Sequence, residues 1–427
     1  MSEKPFSGSI FYYGLDGAQA STVRYTVRMK DPVDGEVLDR AVQKAFTRYP
    51  YLKKHLKYEG GSIVIEDNPA PIVVLHTPDT VTLNAPETNG HLIAISWDDC
   101  TIWFNNSHGI MDGRGRANVL HTIMYYYCSE RYSEDVTMEG VLLAGTPVDP
   151  LEYEDPLSPE IRDSDFKMKL KPGLKAMAPG RTLDLLKASG FKRTVKGHTH
   201  VVSLHEKGLM RICKLDDATP NTAISLLIMR AVDRLYPEAS KSPVAAVCVD
   251  MREALGHPKT HLSTTSYGKM IFDREMRGMD FSEQSTILRG QLMLTSSPEA
   301  IIPVAKSLRK IMALNCSGIC AGIKNSIVKA ANAFLRKDAS FMVSYSGKST
   351  YGSCDSHIHG FVSTPFVSEA NIIVEITVAD GLFYICWTQF FEESLFFDEF
   401  IAEMELLGLQ YKLVDSYVTD GPKMQIQ

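Results

Sequence analysis

Apolar residues recur at helical spacing between Asp34 and Pro50, where Val37, Leu38, Ala41, Val42, Ala45, Phe46 and Tyr49 fall on one face. Asp34 is placed to cap that helix and Pro50 to stop it. Gly60-Gly61 then separates two short strand-like runs, the second being Ile63-Val64-Ile65. Leu92 to Trp97 and Cys100 to Asn105 predict a hairpin around Asp98-Asp99. The glycine-punctuated stretch Ser107 to Gly115 reads as a loop, after which Ala117, Leu120, Ile123, Met124 and Tyr127 mark another helix.

Periodicity fades from about Thr146 to Lys196. Pro147, Pro150, Pro156, Pro159, Pro172 and Pro179 punctuate a polar stretch whose acidic part (Glu152, Glu154, Asp155) gives way to a basic one (Lys167, Lys169, Lys171, Lys175). This is the pattern of a connector between two halves, with a loop-rich excursion inside one domain as the alternative. The expected organisation is a first half over 1–150, a connector over 151–205 and a second half over 206–427. Arg211 to Leu215 is strand-like, and Thr219-Pro220 opens a helix that ends near Tyr236-Pro237. Val244 to Val249 predicts a buried strand leading into Asp250-Met251-Arg252. Helices are expected over Phe281 to Leu294 and Gly322 to Arg336, then a strand over Phe341 to Ser344 and a turn at Ser346-Gly347-Lys348.

The tail repeats an earlier order. Ile372 to Val378, the turn Asp380-Gly381 and Leu382 to Trp387 form a second hairpin, followed by a helix through Phe396, Phe397, Phe400, Ile401 and Met404. The first half has the same succession of strand, acidic turn, strand, loop and helix. Only the first copy carries a histidine in the loop; the second has Gln389-Phe390-Phe391-Glu392. A duplicated α/β unit with its chemistry in one copy accounts for both observations.

Composition narrows the class. The 427 residues suffice for two or three domains, and 45 Lys+Arg against 51 Asp+Glu give a net charge of −6, so nothing general draws the chain to nucleic acid. Eight cysteines are too sparse for a disulfide framework. Met1 to Pro5 shows no leader pattern, and no apolar run approaches the roughly 18 residues that span a bilayer. A soluble, cytoplasmic protein without a membrane span is expected.

The segment His108-Gly109-Ile110-Met111-Asp112-Gly113 carries the chemistry. Of the 12 histidines, only His108 has an aspartate four residues later. It lies between a strand end and a helix start, where loops present reactive groups. An imidazole can accept and return a proton near neutrality. The alternative reading is local, with Asp112 capping the following helix and His108 closing the strand. His198/His200 and His357/His359 lack further ligands at zinc spacing, so no metal site is expected. Cys316 and Cys320 read as packing. Gly347-Lys348-Ser349 is not a phosphate loop, because Met342 stands where that motif needs glycine. Ile301 to Lys337 holds seven Lys+Arg and no acidic residue, which reads as a solvated face or as attraction for an anionic donor.

His108 to Gly113 resembles the HxxxDG signature of the chloramphenicol-acetyltransferase-like superfamily, which includes BAHD acyltransferases, alcohol acetyltransferases and condensation domains. Val247-Cys248-Val249-Asp250-Met251-Arg252 is similar to that family's VDxR segment, and Val343-Ser344-Tyr345-Ser346-Gly347 to its SNxG stretch. The departures are Ser107 in place of a second histidine, Tyr345 in place of asparagine, and no Asp-Phe-Gly-Trp-Gly segment. The resemblance implies two similar α/β halves, each a mixed sheet packed with helices, with a channel between them. It implies His108 as general base, Asp112, Gly113 and Arg252 as support of its loop through an Asp112–Arg252 pair, and Ser344 and Gly347 near the channel or the oxyanion. Acyl-CoA is then a co-substrate with no permanently bound cofactor, and a small alcohol or amine is the acceptor of a monomeric enzyme. The alternatives are a condensation-type enzyme using an acyl-carrier protein, and a non-catalytic binding or scaffolding member.

Overall fold

The computed structural model describes residues 7–14, 21–59, 62–157, 182–315, 319–345 and 347–426. The first helical stripe forms Gly35–Phe46, capped by the Asp34 carboxylate, which accepts from the backbone N–H groups of Glu36 and Val37 at 3.1 Å. It buries Val37, Leu38, Ala41, Val42, Ala45 and Phe46 in a core shared with the helix Gly113–Arg131 and one sheet. That sheet has five strands in the order Ile358–Phe366, Thr22–Met29, Thr101–Ser107, Ile93–Asp98, Val74–His76. A second sheet has seven, in the order Thr265–Ile271, Val244–Asp250, Phe341–Tyr345, Ile372–Ala379, Leu382–Gln389, Gly197–His205, Tyr411–Thr419.

The echo along the chain is an echo in topology. In the first sheet Thr22–Met29 runs antiparallel to Thr101–Ser107, which is antiparallel to Ile93–Asp98, which is parallel to Val74–His76. In the second, Gly197–His205, Leu382–Gln389, Ile372–Ala379 and Phe341–Tyr345 repeat that sequence of pairings. The tail hairpin turns at Asp380 (φ +49°) and Gly381 (φ +71°), the left-handed pair that a two-residue hairpin turn requires.

The halves are interlocked. Ile358–Phe366 belongs to the second half by sequence, yet it pairs with Thr22–Met29 in the first sheet, from Thr22 opposite Phe366 to Met29 opposite Ile358. One face of the large sheet packs Val247, Val343, Val374, Ile376 and Ile385 on helices that supply Leu227, Phe396 and Phe400. The other face carries polar or small groups in one row: Tyr267 opposite Cys248, Ser344 opposite Glu375, and Glu375 opposite Cys386.

Several segments differ from the sequence reading. Arg211 to Leu215 is the end of a helix, Glu206–Leu215, because Leu209, Ile212 and Cys213 are buried at helical spacing. The expected connector, 151–205, contains the helix Leu185–Ser189 and the strand Gly197–His205, whose polar start His198-Thr199-His200 hid it. Pro159, Pro172, Pro179 and Lys167 to Lys175 lie outside the described residues, as do Met1 to Pro5, Cys316 and Ser346. Helix Pro298–Asn315 continues through Pro303, a residue that normally argues against one. Among the described residues no helix is long and apolar enough to cross a membrane.

Candidate active site

The strand Thr101–Ser107 ends where its neighbour does. Ser107 pairs with Thr22, and the backbone N–H of His108 donates to the Ser21 carbonyl at 2.7 Å. The chain then folds back tightly, with Gly109 N–H donating to Ser107 Oγ at 3.2 Å. A Cβ on Gly109 would lie 2.5 Å from Tyr12 Oη and 2.9 Å from the Gly8 carbonyl oxygen, so glycine is required there. The 3-10 segment Ser7–Tyr12 thus lies directly against the loop, and its Phe11 ring stacks on the His108 imidazole with centroids 4.9 Å apart. His108 is half-buried, and its Nδ1 has no hydrogen-bond partner among the described residues.

Asp112 does two jobs at once. Its Oδ1 caps the helix Gly113–Arg131 by accepting from the Gly115 N–H at 3.0 Å. The same carboxylate takes both arms of Arg252, Oδ1 from Nη2 at 2.7 Å and Oδ2 from Nη1 at 3.0 Å, with side-chain exposures of 5% and 2%. Arg252 also donates to the carbonyls of Thr260 at 2.9 Å and Leu262 at 3.0 Å and to Asp250 Oδ1 at 3.0 Å. Burial alone lowers the basicity of Arg252, but Asp112 and then Asp250 outweigh it and leave the guanidinium more basic than usual. The capping reading and the ion-pair reading therefore describe the same carboxylate. Both Asp112 oxygens are engaged by other groups, and among the described residues no hydrogen bond links Asp112 to His108.

The supporting glycine is also more particular than the motif suggests. A Cβ on Gly113 would meet only Tyr25 Oη at 3.8 Å, an ordinary contact. A Cβ on Gly115 would lie 2.2 Å from the backbone oxygen of His261, so the close approach of helix to backbone happens there.

Ser344 and Gly347 sit on and after the strand Phe341–Tyr345. Ser344 stands directly opposite Glu375 on the neighbouring strand, and Gly347 adopts φ +83°. Among the described residues no hydrogen bond or ring contact ties either to His108. Burial raises Glu375 to about 7, with Ser344, Arg116 and Ser363 opposing the shift. Sequence reading passed over this residue, although a carboxylate inside the apolar run Ile372–Ala379 is a signal in itself.

Phe11 and Ser21, which both contact His108, border a cavity of about 130 Å³ together with Thr265, Tyr267, Val328 and Glu369. No pattern in the sequence singles out Glu369, which falls in a bend between two strands. The basic stretch is not a uniformly solvated face, since Lys324 and Arg309 are buried and Arg336 holds the Ser368 carbonyl. One histidine of each pair is engaged elsewhere: His200 Nδ1 meets Ser416 Oγ at 3.0 Å, and His357 stacks on Tyr132 at 3.5 Å.

No protein-family model matches the sequence, and no curated protein sequence matches it. Solved structures match along nearly the whole chain. Polyketide synthase associated protein 5 from Mycobacterium tuberculosis is 13% identical with a TM-score of 0.61, over 95% of this chain and 96% of that one. TRI101 of F. sporotrichioides, in complex with coenzyme A and T-2, is 13% identical with a TM-score of 0.61, over 97% and 100%. The trichothecene 15-O-acetyltransferase TRI3 from Fusarium sporotrichioides is 10% identical with a TM-score of 0.62, over 94% of each chain. What these likenesses share with the chain is a fold, a two-half α/β architecture.

Proposed function

We propose that this chain, built on the two-half acyltransferase fold, moves an acyl group from a coenzyme A thioester to a hydroxyl or amine of a small molecule, with His108 as general base. The observation that carries the reading is the division of labour in the loop. Asp112 is committed to Arg252, while the half-buried His108 imidazole has no partner at Nδ1 among the described residues and stacks on Phe11, which borders a cavity. A structural neighbour of the same fold is complexed with coenzyme A and T-2, and another is a 15-O-acetyltransferase, which supports thioester donor and hydroxyl acceptor alike.

In that reaction Nε2 of His108 takes the acceptor's proton as its oxygen or nitrogen attacks the thioester carbonyl. The new C–O or C–N bond gives a tetrahedral oxyanion, whose collapse breaks the C–S bond. The departing thiolate then takes the proton back from the imidazolium, so the enzyme ends as it began. A positioned base contributes about 10²–10⁴-fold. His108→Ala should therefore lower thiol release from an acyl-CoA by about that factor while the fold is retained. A panel of acyl-CoA donors with small alcohols and amines, followed by free-thiol detection, tests this. Wild-type rates from folded His108→Ala protein would refute it.

A further inference from the structure

Glu369 lies in the bend between the exchanged strand Ile358–Phe366 and Ile372–Ala379. It is only 8% exposed and borders the same cavity as Phe11 and Ser21. Those two residues hold His108, one by stacking on its ring and the other by taking its backbone N–H. From another wall of the cavity the Tyr267 hydroxyl donates to Glu369 Oε1 at 3.4 Å. Glu369 thus shares a cavity with the two residues that hold His108, an imidazole whose Nδ1 lacks a partner among the described residues.

We propose that Glu369 is a positioning residue for His108, its carboxylate serving as the counter-charge of the imidazolium that exists only while the acceptor's proton is in transit. This rests on His108 as the base. Asp112 cannot take the role, because both its oxygens are engaged by Arg252. Before transfer the site holds one carboxylate beside a neutral imidazole. When Nε2 takes the acceptor's proton, the two charges compensate. When the thiolate recovers that proton, the carboxylate is again alone. No proton enters or leaves Glu369, and the interaction is strongest in the transition state, where it accelerates the step. Burial pushes the Glu369 carboxyl up, and the charge of His108 opposes that shift.

The other groups around the carboxyl do not compete for this role. Tyr267, on the strand Thr265–Ile271, and Cys248, on Val244–Asp250, are both pushed up by burial and stay protonated near neutrality. From the helix Ala321–Asp338, Asn332 donates to Ser368 Oγ at 2.6 Å and Arg336 binds the Ser368 carbonyl, which anchors the bend. On the side of Ser7–Tyr12, Tyr13 lines the cavity with Lys324 5.7 Å from its ring.

The test is an NMR titration of the His108 imidazole in the wild-type protein and in Glu369→Gln, which keeps the side-chain shape and removes its charge. The midpoint should fall by about half a unit or more when the carboxylate is lost. The acid limb of kcat/KM should move to lower pH with it, and kcat should drop roughly tenfold with KM held within about twofold. A merely structural role would lower activity without moving the midpoint, and an unmoved midpoint overturns the proposal. Should Glu369→Gln fail to fold, the reciprocal measurement serves: the Glu369 carboxyl titration should rise in His108→Gln, and an unchanged one is equally fatal. Both titrations are read without turnover. Failure of His108 as base, seen as unimpaired thiol release from His108→Ala, is thereby told apart from failure of the pairing.

Discussion

At the scale of single residues, Arg252 and Asp112 are unequal partners in their pair. Arg252 serves two carboxylates and two carbonyls, whereas Asp112 serves one guanidinium, the Gly115 N–H and the Thr264 N–H. Breaking a buried pair costs roughly 3–5 kcal/mol, because a charge is left without its partner. Asp112→Asn keeps a capping side chain and leaves Asp250 beside the guanidinium, so its cost should sit at the low end of that range. Arg252→Met leaves Asp112 and two carbonyls unmatched and should sit at the high end. The double variant should cost less than the sum by about 1–3 kcal/mol. Urea melts of the four proteins decide the matter, and strict additivity would show that the two side chains stabilise the loop independently.

At the scale of elements, the Asp112 loop is where sequence and structure meet most closely. A strand end, a capping aspartate and an apolar helix stripe were all legible there, because each leaves a local signature. Strands whose polar residues alternate with buried ones were harder to see. Thr22–Met29 carries half-buried Arg24, Thr26 and Arg28 on one side while Val23, Tyr25 and Val27 are buried on the other. Gly197–His205 opens on polar residues, yet it lies between two strands far along the chain. What made them strands is pairing with distant partners, and single-chain periodicity does not contain that. Glu369 was illegible for the same reason, since its neighbours Tyr267 and Phe11 lie 102 and 358 positions away by their numbers. The helix Gly113–Arg131 carries a sharper expectation about its own glycines. Gly113→Ala should be neutral or slightly stabilising, since its Cβ meets nothing closer than 3.8 Å and alanine favours helix over glycine by about 0.5–1 kcal/mol. Gly115→Ala drives a methyl into the His261 backbone and should destabilise by at least about 1–3 kcal/mol. Thermal melts of the two variants, if they gave equal shifts, would contradict this account of how the helix start is seated.

At the scale of the whole molecule, the halves meet through an exchanged strand and through charges that neither half satisfies alone. Asp112 and Arg252 come from one chain, and if the site is complete within that chain, activity should survive dilution to a monomer, which activity and sedimentation followed over a dilution series would check. Glu375 marks the same junction. It stands on the central part of the large sheet, opposite Ser344 on the next strand, and the side chains of Ser344, Arg116 from the first half and Ser363 on the exchanged strand all favour its charged form. Its carboxyl titrates near 7 in the folded protein against an ordinary 4.5. A group whose folded value is raised stabilises fully below its unfolded value, and that contribution is lost as pH rises through the folded value. Between about pH 4.5 and pH 7 this one carboxyl should therefore cost the fold on the order of 3 kcal/mol, at 1.36 kcal/mol per unit. Glu375→Gln removes the titration while keeping a side chain that can meet both hydroxyls. It should thus flatten the fall in stability across that window and make the variant the more stable protein at pH 8. Denaturation free energies of wild type and variant, measured at pH 5 and pH 8, give the comparison. Parallel pH dependence in the two proteins would mean that Glu375 is hydrated in the folded state and that the junction between the halves is open to water.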